Sequence, residues 1–323
     1  MSHISVLLDE TISFLEVKDN GVYLDATCGR GGHTEAIVKK LSTGKVIVFD
    51  LDVVAIEEAK KRLAPYLDKL IFVHDNYASL KKHCEDYGIQ QLDGFVFDLG
   101  VSSPQFDDPS RGFSYRYDTP LDMRMDQNQP FSAYHLVNEY PLDRLTKVIR
   151  DYGEDPFAYP IAKRIIAARM SAPITTTGQL VDIIKSALPS RILHQKGHPA
   201  KQTFQAIRIE VNQELASVEK AVSDACALLK VGCRGCVITF HSLEDRIVKD
   251  IFKQLSTPPK TNRRLPQQII DIQYQLINKK PLTPSEEELT QNPRSHSAKL
   301  RVIERIRGTM YGNDQESQEN QTV

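Results

Sequence analysis

Four short apolar runs mark the first hundred residues, and each ends in an aspartate: Val22-Tyr23-Leu24-Asp25, Lys45-Val46-Ile47-Val48-Phe49-Asp50, Leu70-Ile71-Phe72-Val73-His74-Asp75 and Gly94-Phe95-Val96-Phe97-Asp98. Amphipathic stretches separate them: one from Ala36 to Leu41, helices over Val53–Leu63 and near Ala78–Tyr87. Near-continuous apolar strands alternating with amphipathic helices predict a parallel sheet covered on both faces. Ligands of such sheets bind at the carboxyl ends of the strands, so four strand-end acids describe a polar cleft.

The rhythm breaks after Asp98. From about Asp107 to Ala200 no buried parallel strand is legible; a polar loop over Asp107–Asp126 leads into helical patterns at Leu142–Tyr152, Ile161–Met170 and Thr177–Ala187. This reads as a helical insertion in an α/β domain. The α/β pattern resumes with one helix, Thr203–Leu229, a turn at Val231–Gly235 and a strand at Cys236–Phe240. Ser242, with Asp245 three residues on, is the expected cap of the next helix. Ser256–Pro284 reads as a long basic loop, Lys299–Arg305 as a strand closing the sheet, and Gly308–Val323 as a disordered tail.

At 323 residues the chain is long enough for one large domain or two, and 41% apolar with 26% charged residues is ordinary globular composition. No run approaches about 18 consecutive apolar residues, which argues against a membrane span. Met1–Glu10 has no basic n-region, so a signal peptide is not expected there. Five scattered cysteines suit a reducing compartment, so a cytoplasmic location is expected. Cys233-Arg234-Gly235-Cys236 has metal spacing, but no second pair completes a site, and no metal is expected. The formal net charge is −1, yet His241–Arg307 carries thirteen Lys and Arg against eight acids, enough to line one face for a polyanion.

The chemistry begins at Asp25-Ala26-Thr27-Cys28-Gly29-Arg30-Gly31-Gly32-His33, a glycine-rich bend between the first strand and a helix. Glycines tolerate positive φ and bring backbone N–H groups close to a ligand, and a helix start adds partial positive charge. The dinucleotide spacing G-x-G-x-x-G fails at its third glycine. Asp50, ending the next strand, is placed to accept the ribose hydroxyls of an adenosine moiety, which both NAD and S-adenosylmethionine offer.

The stretch Asp98-Leu99-Gly100-Val101-Ser102-Ser103-Pro104-Gln105-Phe106 separates those two cofactors. Hydride transfer has no need of a carboxylate, hydroxyls, a proline and an aromatic at a strand end. Methylation of an exocyclic amine does: acceptors must hold the amine N–H groups and turn its lone pair toward the methyl, and Phe106 could stack on the base. Ser103-Pro104-Gln105-Phe106 resembles the Ser-Pro-Pro-Trp type motif of amino-methyltransferases, with Gln105 in place of the second proline. DNA cytosine remains open as a substrate on this motif alone, whereas Asp50, Asp98 and Ser103-Pro104 argue against a non-catalytic, RNA-binding role on the same fold.

The chain as a whole resembles the ribosomal RNA small subunit methyltransferase H family. The resemblance rests on His3–Glu10, Asp25–His33, Asp98–Asp107, Arg111-Gly112-Phe113-Ser114, Pro120–Met125, His198-Pro199-Ala200, Thr203–Ile209, Phe240–Lys249 and Asn292-Pro293-Arg294. It implies a class I methyltransferase (Rossmann-like) α/β sheet with an inserted helical domain. The parts would be 1–106 and 201–307 for the methyltransferase domain, 107–200 for a substrate-recognising insertion, and 308–323 for the tail. It implies S-adenosyl-L-methionine as cofactor, held by Gly31, Gly32, His33, Asp50, Tyr77, Asp98 and Gln105. Asp98, Ser103 and Pro104 are the catalytic candidates, with Asp98 or a water held by Ser103 taking the amine proton. The implied reaction methylates N4 of a cytidine in the decoding region of 16S ribosomal RNA, within the small ribosomal subunit. Arg111, Arg124, His198, Lys201 and Arg208 are candidates for RNA phosphate contacts, as is His241, which could instead move a proton or cap its helix. A homodimer is compatible with the sequence.

Overall fold

The computed structural model describes residues 5–101, 108–258 and 270–311, without the side chains of 270, 271 and 308–311. Two compact units divide the chain: residues 1–50, 54–100 and 217–323 form the first, and 51–53 with 101–216 the second.

The first unit is built on seven strands, β1 (Val22–Asp25), β2 (Lys45–Asp50), β3 (Leu70–His74), β4 (Leu92–Asp98), β5 (Leu229–Thr239), β6 (Ile270–Leu276) and β7 (Lys299–Tyr311). They lie in the order β3-β2-β1-β4-β5-β7-β6. β1 to β5 pair in parallel, whereas β7 is antiparallel to both β5 and β6. This is the Rossmann-like sheet expected from the strand and helix rhythm. Winding runs outward from β1 to β3 and then restarts from β4 in the other direction. The topological switch point, where open α/β sheets bind ligands, therefore falls between β1 and β4.

Strand residues alternate between two cores because successive side chains point to opposite faces. Leu24, Ile47, Phe49, Phe95 and Phe97 enter one, while Tyr23, Val46, Val48, Val96 and Ile238 enter the other. Among the described residues, helices α1 (Leu8–Leu15), α2 (Gly32–Val38), α3 (Val53–Arg62), α4 (Leu80–Asp86), α11 (Glu214–Leu228), α12 (Ser242–Ser256) and α13 (Glu286–Gln291) accompany the sheet.

The second unit is helical: α5 (Ala133–Glu139), α6 (Leu142–Gly153), α7 (Ala158–Arg169), α8 (Thr177–Ala187), α9 (Ser190–Leu193) and α10 (Lys201–Asn212). Leu136, Leu145, Ile149, Ile161, Ile165, Leu180, Ile184, Phe204 and Ile207 share its core. The helical unit thus runs to Ala216 and takes in Lys201–Asn212, a stretch the sequence pattern groups with the α/β domain.

Other local features depart from the sequence reading. The single helix expected over Thr203–Leu229 is two, α10 and α11 (Glu214–Leu228), because Gln213 adopts φ 52° and ends the first. β5 begins at Leu229, so the expected turn at Val231–Gly235 is strand, with an irregularity at Gly232, φ 73°. Gly235 is required there: a Cβ would enter the Phe95 ring on β4. Within that strand Cys233 and Cys236 face opposite cores, so the C-x-x-C spacing brings no ligand pair together. β6 occupies part of the expected loop after Ser256, and β7 extends to Tyr311, beyond the expected strand end.

Candidate active site

The site is built at the switch point, within the first unit. β1 delivers Asp25, the bend 26–31 follows, and α2 starts at Gly32. Gly29 and Gly31 sit at φ 50° and 75°, so the bend needs residues that enter the left-handed region without cost. A Cβ on Gly29 would meet nothing within 4 Å, leaving that backbone open. Gly32 has a different reason to be glycine: its face is covered by the Ser5 side chain, into which a Cβ would run.

Three aspartates converge there with different duties. Asp25 is 1% exposed and accepts from Thr34 Oγ1 at 2.6 Å and from the Thr27 amide at 3.1 Å. Burial raises its proton affinity despite the opposing charge of His33 and those hydrogen bonds. It holds the turn together. Asp50 accepts from the Gly29 amide at 2.8 Å through Oδ2 and thereby orients the bend. Asp98, ending β4, donates its own amide to Thr27 Oγ1 at 2.6 Å, which ties the ends of β1 and β4. Its Oδ1 is buried without a hydrogen-bond partner among the described residues. An orphaned carboxylate oxygen costs free energy unless a ligand satisfies it, so its place at the switch point marks a binding site. Burial, followed by the charges of Asp25, Glu244 and Glu288, pushes the Asp98 carboxyl up to about 8, while water still reaches 23% of the side chain.

His33 is 4% exposed. Its Nε2 lies 3.2 Å from the Val6 carbonyl oxygen and its Nδ1 lies 3.8 Å from Asp98 Oδ2. The segment carrying Val6 is itself anchored: Leu7 is fully buried at φ 49° and donates its amide to Glu288 Oε1 at 2.9 Å. Val6 and Glu288 escape sequence reasoning because one acts through a carbonyl and the other is remote in the chain. Tyr77 follows β3 and meets Phe97 edge to face, centroids 5.8 Å apart. Asn76 before it accepts from the Ala78 amide at 2.8 Å, fixing that turn beside the sheet. Gly31, Gly32, His33, Asp50, Tyr77 and Asp98 therefore all lie at the carboxyl end of β1–β4. Ser103, Pro104 and Gln105, together with Phe106, lie outside the described residues.

The expected phosphate-contacting residues divide. Arg111 is 6% exposed, pairs with Asp52 at 2.7 Å and donates to the Arg124 and Met125 carbonyls at 3.0 Å each. Arg124 forks onto Asp122 and also reaches the Gln127 and Gln129 carbonyls. Arg208 forks onto Glu214 at 2.8 Å through both nitrogens. These three guanidiniums are committed within the helical unit. His198 stacks on Tyr115 with centroids 4.2 Å apart, and burial, then Lys185 and Arg116, keeps its imidazole below the usual value. Lys201 is exposed at the start of α10.

His241, not Ser242, is the N-cap of α12, with Glu244 rather than Asp245 completing the box. Its Nε2 lies 3.0 Å from Glu244 Oε1, and Glu244 Oε2 accepts from the Phe240 amide at 2.8 Å. Asp245 instead pairs with Arg301 at 2.7 Å and Lys299 at 3.3 Å on β7. Sequence patterning favoured serine because hydroxyls are the commoner caps; the imidazole takes the place one residue earlier.

A Rossmann-like sheet with a glycine bend and strand-end aspartates at its switch point is the architecture of a nucleotide-cofactor enzyme. The chain belongs to the MraW methylase family, whose profile matches residues 1–306. It is 52% identical over 307 residues to the ribosomal RNA small subunit methyltransferase H of Clostridioides difficile, covering 94% of this chain and 99% of that one. The proteins of the same name from Limosilactobacillus fermentum and Streptococcus dysgalactiae are 49% and 48% identical, covering 95% and 94% of this chain and 99% and 98% of their own. An rRNA methylase of solved structure from Streptococcus thermophilus aligns more loosely, at 12% identity and TM-score 0.43, over 95% of this chain and 100% of that one. Membership makes this chain a methylase, and S-adenosylmethionine is its cofactor.

Proposed function

We propose that this chain methylates N4 of a cytidine in the decoding region of 16S ribosomal RNA, with the small subunit or its RNA as partner in the cytoplasm. The carrying observation is Asp98: a carboxylate at the end of β4 with a buried oxygen that has no hydrogen-bond partner among the described residues, near the bend that would hold the cofactor. The relatives' printed names support the ribosomal substrate.

Bound S-adenosylmethionine supplies an electrophilic methyl on a cationic sulfur. Gly31, Gly32 and His33 would lie along the cofactor, Asp50 would take its ribose hydroxyls, and Tyr77 would pack beside its adenine. Asp98 offers negative charge near the sulfonium and an acceptor for an N4 proton. As the N4 lone pair forms the new N–C bond and the S–C bond breaks, one N4 proton must leave; Asp98, or a water held by Ser103, receives it. The Ser103-Pro104-Gln105 stretch would present acceptors that aim the lone pair. Positioning of this kind supplies most of the rate in transfers between two bound reactants.

The helical unit would contribute RNA recognition. Of the sequence candidates there, Lys201 and His198 are left to meet phosphate, and a homodimer is a further expectation. Base-resolved methylation mapping of small-subunit RNA, with and without the protein, tests the reading. A new N4-methyl mark on a decoding-region cytidine is expected, and an unchanged cytidine overturns it.

A further inference from the structure

Leu7 stands at the N-cap position of α1, fully buried, at φ 49° and with no side-chain cap of its own. A residue with a β-carbon keeps a left-handed φ only where its surroundings hold it there. The group that holds it comes from the far end of the chain: Glu288 on α13 accepts the Leu7 amide through Oε1 at 2.9 Å. The two residues before Leu7 both meet the start of α2. Val6 places its carbonyl oxygen 3.2 Å from His33 Nε2, and the Ser5 side chain covers Gly32. A carbonyl can only accept, so Nε2 donates and the ring is held at that edge. Residues 5–7 are thus a strap, tied by Glu288 at one end and seated on the cofactor bend at the other.

We propose that Glu288 is a positioning residue for cofactor binding, fixing the strap 5–7 through the Leu7 amide so that the Val6 carbonyl sets the ring of His33. This rests on the reading above that places His33 along the cofactor, and it adds to that site a residue from α13. Withdrawing the acceptor lets the left-handed turn at Leu7 relax and carries the Val6 carbonyl away from Nε2. A second route from Glu288 to the site runs through charge, since its carboxylate also bears on Asp98. Two conservative substitutions separate the routes. Glu288→Gln keeps a carbonyl oxygen for Leu7 and removes the charge. Glu288→Asp keeps the charge and draws the acceptor back by one methylene.

The test is calorimetric titration of the full-length protein with S-adenosylmethionine, with thermal unfolding alongside. Glu288→Gln should bind within about twofold of the parent, and Glu288→Asp about tenfold more weakly. His33→Leu, close in volume but without ring nitrogens, should itself weaken binding. In that background Glu288→Asp should cost no more than about a further twofold, because the residue it acts through is gone. Equal weakening by Gln and Asp, or losses that add in the double variant, overturns the proposal and leaves the cofactor reading standing. So does a Glu288→Asp protein that melts earlier yet binds as the parent does, since Glu288 then holds only the fold. A His33→Leu protein that binds as tightly as the parent overturns the placement of His33 along the cofactor, and the proposal with it.

Discussion

The Asp50 carboxylate accepts the Gly29 amide at 2.8 Å, so the acid that closes β2 already grips the bend that follows β1. Gly29 adopts φ 50° in that bend. One residue is therefore the clamp and, on the proposed reading, also the ribose acceptor, and substitutions should separate the two duties. Asp50→Asn keeps a carbonyl oxygen for the amide but loses charge and one acceptor. It should leave the melting temperature nearly unchanged and weaken S-adenosylmethionine binding by about 2 kcal/mol. Asp50→Ala should lose both binding and stability. Paired calorimetry and thermal unfolding check this, and equal loss of stability in both variants would contradict it.

Asp98 makes the ligand-free fold sensitive to pH. Its carboxyl is pushed up to about 8, above the roughly 3.9 of an unfolded aspartate. A raised carboxyl binds its proton more tightly in the folded chain. Its favourable contribution is complete below the unfolded value and is lost as pH rises through the folded one. Asp98→Asn removes the ionisation and should stabilise the ligand-free protein by more than about 1.4 kcal/mol at pH near 9 relative to pH near 5. Denaturant titrations at the two pH values measure the difference. A substitution effect that does not change with pH would show that Asp98 ionises in the folded state as it does in water.

Much of this architecture is legible along the chain because fully buried parallel strands read as unbroken apolar runs, and four such runs ended where ligands bind. β5 was legible only from Cys236, since Lys230, Gly232, Arg234 and Gly235 suggest a turn; tertiary packing of Gly235 over Phe95 decides the matter instead. β6, with its Asp, Gln and Tyr positions, has too little apolar run to register. Gln213 ends a helix by a left-handed φ that no glycine announces. Arg111 looked like a phosphate ligand because its type allows it, and only the fold shows it buried against Asp52. Asp98 could be picked out as a site residue, whereas its unpartnered oxygen and its approach to His33 depend on elements distant in sequence.

Gly32 and Ser5 form a steric pair that a double substitution can isolate. Gly32→Ala places a methyl in the Ser5 side chain and should cost about 1–3 kcal/mol through overpacking. Ser5→Gly on its own should cost less, and the double variant should recover most of the loss. A coupling energy near zero in that cycle would mean the two residues do not touch in solution.

Arg111 and Lys201 should behave oppositely. Arg111 is sealed against Asp52, with both side chains about 7% exposed, and its removal leaves a buried carboxylate without its arginine. Arg111→Ala should cost about 3–5 kcal/mol of stability. Arg111→Lys should recover little, because a single ammonium does not reproduce the fork that reaches Asp52 and the Arg124 and Met125 carbonyls together. Below its melting temperature, however, Arg111→Ala should bind small-subunit RNA with the same salt dependence as the parent, since no phosphate contact is lost. Lys201→Ala should do the reverse: unchanged melting, and a slope of log affinity against log salt shallower by about 0.7. The two readouts together distinguish a cation that holds the helical unit from one that meets the backbone of an RNA. If Arg111→Ala flattened the salt slope instead, its guanidinium would have to leave Asp52 on binding.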